Sequence, residues 1–470
     1  MRGTFYITTP IYYANAKPHI GHAYTTIVAD VLTRFYKFQG EKTFFLTGMD
    51  EHGMKIQKKA EEEGEISQVF VDKITEEFKN LWKDLNIKNN KFIRTTDADH
   101  KKTVSKVLEI LKEKKAIKKG IYSGLYCVGC EQFKSTNELV DGKCSDHDII
   151  PEKMTENCWV LKMTEKQEEL IKKIQADEIK IRPEKYKKEI LSFLENKLDD
   201  VSISRKNVSW GIPLPFDSEQ TVYVWIDAFL NYLTGIGWDG NLDNIPKEWP
   251  ADVQIIGKDI LRVHTTIWLV MLLHLEISIP KKMFVHGHIL SGGKKMSKTL
   301  GNTISIDEML EKFGTDGTRY LLLSAGTFGE DVDVTMERLI EKYNADLANG
   351  LGNLVSRIIK LSQSYELGII NYDSKSNDEF LKFIEELKFD EALNYIWNVV
   401  RKSNKYIEET KPWELAKNNE EKFKEVMKKI VQDLNFIAQL LEPFMPETSE
   451  KIKKAIETKG KIILFERIKW

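Results

Sequence analysis

Cysteine is scarce: 470 residues carry four, which excludes a disulfide scaffold and fits a reducing compartment. Long apolar runs are missing too. The longest, Ile267 to Leu273, spans seven residues, far short of the ~18 that a membrane-spanning helix needs, so a soluble protein is expected. The chain opens Met1-Arg2-Gly3-Thr4-Phe5-Tyr6-Ile7 and runs into strand-like residues without an apolar leader or a small-residue cleavage site, so the cytoplasm is the default location. Excess charge of one sign is lacking. Lysine plus arginine number 70 against 72 acidic residues, a net of −2, which excludes a strongly basic chromatin-like or ribosomal-type protein and confines any nucleic-acid contact to a local patch. There is no internal repeat and no low-complexity tract, the mixed-charge run Lys58 to Glu65 reading as a solvated helix face. What is present is core-forming material: 41% hydrophobic and 10% aromatic residues, in a length that at about 150 residues per domain suggests roughly three domains.

The first fifty residues predict a β-α-β unit, with a strand at Phe5 to Thr8, apolar residues at helical spacing from Ile20 through Leu32, and a second strand at Thr43 to Leu46. That order implies a parallel sheet whose ligands sit beyond the carboxyl ends of the strands. The expected class is α/β, a Rossmann-like doubly wound parallel sheet interrupted by a zinc-containing insertion and followed by an α-helical bundle. Residues 1–115 read as the first half of the sheet domain, 116–220 as the insertion with short turns and lysine-rich helices around 165–190, and 221–290 as the second half. Strands are expected at Thr221 to Ile226, Val253 to Gly257 and Phe284 to Ile289, around an apolar helix at Thr265 to Leu275. A loop and stem region follows over 291–337, then the bundle over 338–470, with amphipathic segments at 344–366, 390–409 and 421–441. The bundle holds 23 basic against 22 acidic residues, so it is no electrostatic sponge for phosphate.

Three constellations carry chemistry. Pro18-His19-Ile20-Gly21-His22 lies where a strand's loop enters a helix, a place where backbone amides and the helix dipole favour an anion. The two histidines read either as phosphate ligands or as ordinary capping groups. Gly292-Gly293-Lys294-Lys295-Met296-Ser297-Lys298-Thr299 opens with a glycine pair after a predicted strand. Its ammonium groups could offset charge building on a triphosphate attacked at its α-phosphorus, or the segment is a solvated basic loop. Cys127, Cys130, Cys144 and His147 form a C-x2-C-x13-C-x2-H pattern suited to one tetrahedral zinc with no open position, hence structural rather than catalytic. Unliganded buried thiols are the alternative, and Cys158 is left over.

His19-Ile20-Gly21-His22 and Lys295-Met296-Ser297-Lys298-Thr299 resemble the two signature motifs of class I aminoacyl-tRNA synthetases, and the chain as a whole is similar to the methionyl-tRNA synthetase family of the bacterial type. Thr299 departs from the family's usual serine but keeps a hydroxyl. Further similar segments are Ile11 to Asn15, Asp50-Glu51-His52-Gly53, Val224 to Ala228 and Gly257 to Ile260 with His264. The resemblance implies that Asp50 holds a substrate ammonium and that Ile11, Tyr13, Trp225, Ala228, Tyr232, Ile260 and His264 line a methionine side-chain pocket. Aromatic and aliphatic walls suit a polarizable thioether, at ~0.3–1.5 kcal/mol per sulfur–aromatic contact, and one tyrosine or histidine could probe the sulfur. Trp225 and Ile260 read equally as core residues on sequence alone. Phe229 stands where many relatives carry proline.

By the same resemblance His19, Gly21, His22, Gly257, Asp259, Ile289, Lys295 and Lys298 bind ATP, with His19, His22, Lys295 and Lys298 catalytic, and Arg205 lies near the substrate carboxylate. Asn353, Arg357 and Trp413 align with anticodon-reading residues. RNA is read where bases stack on aromatics and bond along their edges, although a lone tryptophan in a bundle is more often core. The implied activity is ligation of methionine to tRNA through an adenylate, with L-methionine, ATP and tRNA as partners, Mg2+ accompanying ATP, one structural Zn2+, and a monomer expected. The rivals are another class I synthetase such as the cysteinyl enzyme, a small-molecule adenylyltransferase, and a tRNA-binding paralogue without activity. Large editing insertions of the isoleucyl, valyl and leucyl kind have no room in this length.

Overall fold

The computed structural model describes residues 3–127, 132–134, 139–144, 148–206, 208–296, 303–363 and 377–469. The chain divides into two compact units. The first comprises Met1–Pro18, Glu41–Trp82 and Lys88–His286, and the second His19–Gly40, Lys83–Ile87 and Gly287–Trp470.

In the first unit six parallel strands form one sheet: β1 (Phe5–Tyr13), β2 (Thr43–Asp50), β3 (Lys91–Arg94), β4 (Lys180–Arg182), β5 (Val253–Gly257) and β6 (Lys282–His286), in the order β3-β2-β1-β5-β6-β4. The central strands are buried on both faces, β5 throughout its length, which is why they read as apolar runs rather than as alternating patterns. Strand order reverses between β1 and β5, and at such a switch point a crevice opens outside the carboxyl ends of the strands. Tyr13 pairs with Asp50 at those ends, and Gly257 closes β5.

Three expectations are corrected. Thr221 to Ile226 does not extend the parallel sheet. Asp217–Val222 is instead the middle strand of a three-stranded antiparallel sheet with Ser204–Arg205 and Pro213–Leu214, and Val224–Phe229 is a helix whose six residues are all buried. A short apolar run cannot by itself distinguish a buried strand from a buried helix. The second concerns the lysine-rich stretch assigned to the insertion. It carries β4, which pairs in parallel with β6 through Met283 and Ile181, a strand of three residues flanked by charge and invisible to periodicity. The strand expected over Phe284 to Ile289 ends at His286. The insertion itself contains a four-stranded sheet built on the long pairing of Ile117–Cys127 with Glu152–Leu161.

The second unit contains helix α1 (Ile20–Phe38), a small sheet of Ile289–Ser291, Lys294–Lys295 and Val332–Asp333, and a helical array. The expected amphipathic segments are helical over their described residues, the first of them, 344–366, being described to residue 363. Tyr343–Gly352 is π-helical and runs into α6 (Asn353–Ser362), followed by α7 (Phe389–Thr410), α8 (Pro412–Asn418), α9 (Glu420–Leu441) and α10 (Pro446–Thr458), with α2 (Ala98–Glu113), α3 (Val224–Phe229), α4 (Leu269–Leu275) and α5 (Ile306–Leu323) earlier in the chain. α9 buries Phe423, Met427, Ile430, Leu434, Ile437 and Leu441, the three-to-four spacing of one helical face. A fully buried Arg319 ties this unit together. It pairs with Asp30 of α1 at 2.8 Å and donates to the carbonyls of Leu85, Pro443 and Phe444, so its charge is neutralised and its fork of N–H groups satisfied. Among the described residues no helix is long and apolar enough to cross a membrane.

Candidate functional site

In the first unit the expected pocket residues gather at the carboxyl ends of β1 and β2 and around α3. The Tyr13 ring meets Trp225 edge-on at 6.2 Å; Trp225 packs on Phe229 at 5.4 Å, and both face the His264 ring, Phe229 at 4.9 Å. Trp268, unremarked in the sequence, stacks behind Phe229 at 5.9 Å and beside Tyr232 at 5.6 Å. Ile11 and Ile260 are half-buried against this core. Ala228 and Asp50 are buried. The indole Nε1 of Trp225 is buried with no hydrogen-bond partner among the described residues, an unusual state for a core tryptophan.

Protonation at this wall follows from geometry. His264 lies in a π-helical turn, His264–Trp268, a backbone irregularity common at functional sites. Its Nδ1 is 2.8 Å from the Ile260 carbonyl, which can only accept, so Nδ1 carries the proton; Nε2 then accepts from the Tyr232 hydroxyl at 2.8 Å. Burial lowers the His264 pKa to about 4, outweighing the Ile260 carbonyl and Asp259. Burial likewise drives the Tyr232 hydroxyl far above its ordinary value. The wall is therefore neutral, as an apolar thioether requires. Both His264 nitrogens and the Tyr232 hydroxyl hydrogen are engaged within the protein.

Other expected residues take different surroundings. Gly257 is buried and Asp259 exposed just beyond β5, with Asp259 Oδ1 2.5 Å from where a Gly257 Cβ would stand. Ile289 belongs to the small sheet of the second unit. Arg205 is buried, its guanidinium 4.1 Å above the Tyr223 ring and bonded to Ser202 Oγ and the Ser204 carbonyl at 2.8 Å.

In the second unit His19 and His22 cap α1 reciprocally: His19 Nδ1 accepts from the Gly21 amide at 3.1 Å, and His22 Nδ1 accepts from the His19 amide at 3.2 Å. The capping reading is thus realised. A neutral imidazole that accepts at Nδ1 carries its hydrogen on Nε2. The rings stack at 3.7 Å, and burial together with His19 holds the His22 pKa well below the ordinary value. Gly21 is required by this packing, because a Cβ there would stand 2.9 Å from His19 Cε1. Gly292 and Gly293, both with positive φ, turn the hairpin that pairs Ser291 with Lys294, the two-residue turn that glycine favours. The Lys295 backbone lies in this hairpin; its side chain, and Lys298 with Ser297 and Thr299, lie outside the described residues.

Cys127 ends the long insertion strand and Cys144 lies in a hairpin paired with Leu139; both are buried. Cys130 and His147 lie outside the described residues. In the helical array, Arg357 and Trp413 meet, the guanidinium 5.7 Å from the indole centroid, while Glu408 binds Arg357 at 2.7 Å. Trp413 is 39% exposed, so it is not a core residue. Asn353, exposed one turn from Arg357, borders a groove of about 400 Å³ with Asn349, Ser356 and Phe465.

Comparison with known proteins agrees across the chain. Residues 5–148 and 134–359 match the family model of class I tRNA synthetases (M), and residues 368–464 match the anticodon binding domain of methionyl tRNA ligase. The chain is 44% identical over 467 residues to the methionine–tRNA ligase of Clostridium acetobutylicum, covering 96% of this chain and 72% of that one. It is 41% identical over 487 residues to the Caldanaerobacter subterraneus subsp. tengcongensis protein of the same name, covering 100% and 76%. The fold is similar to Mycobacterium tuberculosis methionyl-tRNA synthetase in complex with methionyl-adenylate, with a TM-score of 0.90, 32% identity, and 96% of this chain and 93% of that chain covered.

Proposed function

The chain belongs to the methionyl-tRNA synthetase family of class I tRNA synthetases, and we propose that it activates L-methionine with ATP and transfers the methionyl group to tRNA. The observation that carries this reading is the neutral aromatic wall of Tyr13, Trp225 and His264, with the buried Asp50 paired to Tyr13 at the carboxyl ends of β1 and β2. An apolar cage with one anionic group fits an amino acid whose side chain is uncharged and whose ammonium needs a counter-ion.

In the first step a methionine carboxylate oxygen attacks the α-phosphorus of ATP; a P–O bond forms, the bond to pyrophosphate breaks, and methionyl-adenylate results. No side chain acts as nucleophile. His19 and His22 donate Nε2–H to phosphate oxygens whose charge grows during attack, and Lys295 and Lys298 add positive charge, stabilisation worth most where it is fixed before the reaction. Gly257, Asp259 and Ile289 contribute to adenosine binding. Asp50 holds the ammonium, and Ile11, Tyr13, Trp225, Ala228, Tyr232, Ile260 and His264 enclose the side chain. In the second step a hydroxyl of the terminal ribose attacks the acyl carbon and AMP leaves. Asn353, Arg357 and Trp413 read the anticodon, Trp413 by stacking and the other two along base edges.

Two metal ions belong to this reading. Mg2+ accompanying ATP would offset phosphate charge there. Cys127, Cys130, Cys144 and His147 would hold one Zn2+, which supplies cross-linking of the insertion rather than chemistry, since four protein ligands leave no open position. Burial of Cys127 and Cys144 fits thiolates held away from solvent. The reading places the protein in the cytoplasm as a monomer.

The test is exchange of labelled pyrophosphate into ATP, dependent on each of the twenty amino acids in turn. Methionine is expected to be the one efficient substrate, with isosteric analogues activated more slowly, since one methylene in an apolar pocket discriminates by only ~1–3 kcal/mol. Exchange driven best by cysteine would favour the rival synthetase, and exchange with no amino-acid dependence would favour a small-molecule adenylyltransferase.

A further inference from the structure

Three side chains far apart in sequence meet in the interior of the first unit, and none belongs to the substrate-contacting set. Asp227, 1% exposed, accepts from His52 Nδ1 on Oδ2 at 2.6 Å and from His100 Nε2 on Oδ1 at 2.8 Å. Both imidazoles are buried as well. The chain of contacts continues: His100 Nδ1 lies 2.7 Å from Thr234 Oγ1, which donates to the Leu230 carbonyl at 3.1 Å. The Trp210 ring meets His52 edge-on at 5.5 Å and closes its other side. Burial alone would raise the Asp227 carboxyl, but the two imidazoles overcome it and bring the pKa down to about 2. A buried carboxylate is thus held as an anion by two charge-assisted bonds, the stronger kind.

Each member comes from a different element. His52 stands two residues beyond Asp50 after β2, His100 is in the first turn of α2, and Asp227 sits on α3 between Trp225 and Ala228. α3 has six residues and no side-chain cap at Tyr223. So short a helix has little stability of its own and takes its position from tertiary contacts. Removing the Asp227 contacts would leave Trp225 and Ala228 on a turn anchored by backbone bonds and ring packing alone.

We propose that His52, Asp227 and His100 form a positioning triad that locks α3 to the end of β2 and so fixes the Trp225 and Ala228 wall relative to Asp50. They touch no substrate; they act through the residues that do. This inference rests on the reading that Asp50, Trp225 and Ala228 hold methionine. The consequence is selective: the triad sets the affinity for methionine and leaves that for ATP alone.

Conservative replacements separate geometry from bulk packing. In Asp227→Asn the amide oxygen accepts from His52 while the NH2 donates to His100 Nε2. His100 then carries its proton on Nδ1 and donates to Thr234, whose hydroxyl still donates to Leu230, so each contact of the variant has one hydrogen to share. In Asp227→Ala both imidazoles lose their acceptor. Likewise His52→Asn keeps a donor near the Nδ1 position and His52→Ala removes it.

The experiment measures KM for methionine and KM for ATP in pyrophosphate exchange, with thermal melting of each variant. Asp227→Ala and His52→Ala are expected to raise KM for methionine by about tenfold or more, as misplacement of a binding wall by a fraction of an ångström does, with KM for ATP within about twofold. Asp227→Asn and His52→Asn are expected to restore KM for methionine to within about threefold of the parent. If Asp227→Ala does not fold, the His52 pair and Asp227→Asn decide the matter. A folded His52→Ala protein with unchanged KM for methionine overturns the proposal, as does a parallel rise in both KM values or a failure of both asparagine variants to restore affinity. Methionine-dependent exchange by the parent protein is the control: if that is absent the proposed function falls, whereas its presence with indifferent variants removes the triad alone.

Discussion

Asp227 and Glu408 are both carboxylates held by cationic or imidazole partners, yet they do opposite work. Asp227 is 1% exposed between two buried imidazoles, whereas Glu408 is 62% exposed on a guanidinium that also faces Trp413. A carboxylate closed off from water is costly unless every lone pair is answered, and once answered it cannot be rearranged cheaply. An exposed pair contributes ~0–1 kcal/mol and can be exchanged for another partner. The contrast teaches what each region is built to bind. On the proposed reading the buried lattice suits one small guest held in a single pose, and the group of half-buried Arg357 with exposed Glu408 and Trp413 suits a polymer that arrives with its own charges and ring faces.

The largest expected effect tests whether the two regions can be separated by assay. On the proposed reading His22→Ala removes a donor to phosphate, and loss of one such preorganised donor costs about 10²–10³-fold in rate. Pyrophosphate exchange and tRNA charging should therefore fall together by that order, with methionine affinity, measured directly, unchanged. Loss of charging alone would place His22 with the RNA-reading group and break the comparison.

The second effect sharpens the buried side. His264 is neutral in the folded chain, its pKa lowered to about 4, chiefly by burial, from an ordinary 6.5. Above pH 6.5 folded and unfolded forms are both neutral there and the residue imposes no pH dependence. As pH falls from 6.5 to 4 the unfolded chain takes up a proton that the folded chain refuses, so stability drops, by on the order of 3 kcal/mol at the lower limit. Denaturant unfolding of the parent and of His264→Gln between pH 7 and 4.5 should show the steeper loss in the parent. Asp227, with a pKa of about 2, stays ionised over that range and does not contribute. Parallel curves would mean that His264 is solvated and the pocket wall is not dry.

What the sequence made legible follows the same division. Motifs confined to a few consecutive residues, such as His19 to His22 or the glycine pair at 292–293, could be read because their geometry is local: a capped helix start and a two-residue turn. The sheet's central strands were legible because burial on both faces leaves an apolar run. The short edge strand β4 is not, since it is three residues long and its flanks are charged, and neither is α3, because six residues hold no period long enough to test. The Asp50 to Gly53 and Val224 to Ala228 segments were noticed, but nothing in them pairs His52 with Asp227 across 175 positions. Trp268 and His100 carried no local signal at all. Only the folded chain brings such residues together.

The third prediction breaks the comparison if it fails on the exposed side. Trp413→Ala forfeits a stacking surface worth about 1–3 kcal/mol, roughly a ten- to hundredfold loss in tRNA charging efficiency. Methionine-dependent exchange requires no tRNA and should stay at the parent level. Melting curves recorded alongside exclude unfolding as the cause, and with 39% of Trp413 already in water the melting temperature should shift little. An equal fall in exchange would make Trp413 a packing residue.

The smallest effect concerns Glu408 itself. Its ion pair with Arg357 is open to solvent on the carboxylate side, Glu408 being 62% and Arg357 26% exposed, so Glu408→Gln should change stability by about 1 kcal/mol or less. On the proposed reading RNA competes with this carboxylate for Arg357, and the carboxylate also repels the phosphate backbone. Removing its charge should therefore strengthen tRNA binding about two- to fivefold at low salt, with the gain shrinking as added salt screens both terms. Titration of tRNA against the parent and Glu408→Gln at two ionic strengths is the measurement. Weaker binding in the variant would mean that Glu408 orients Arg357 for base contact rather than occupying it until RNA arrives. The exposed pair would then be a fixed element of the site, and its contrast with Asp227 would be one of solvent access alone.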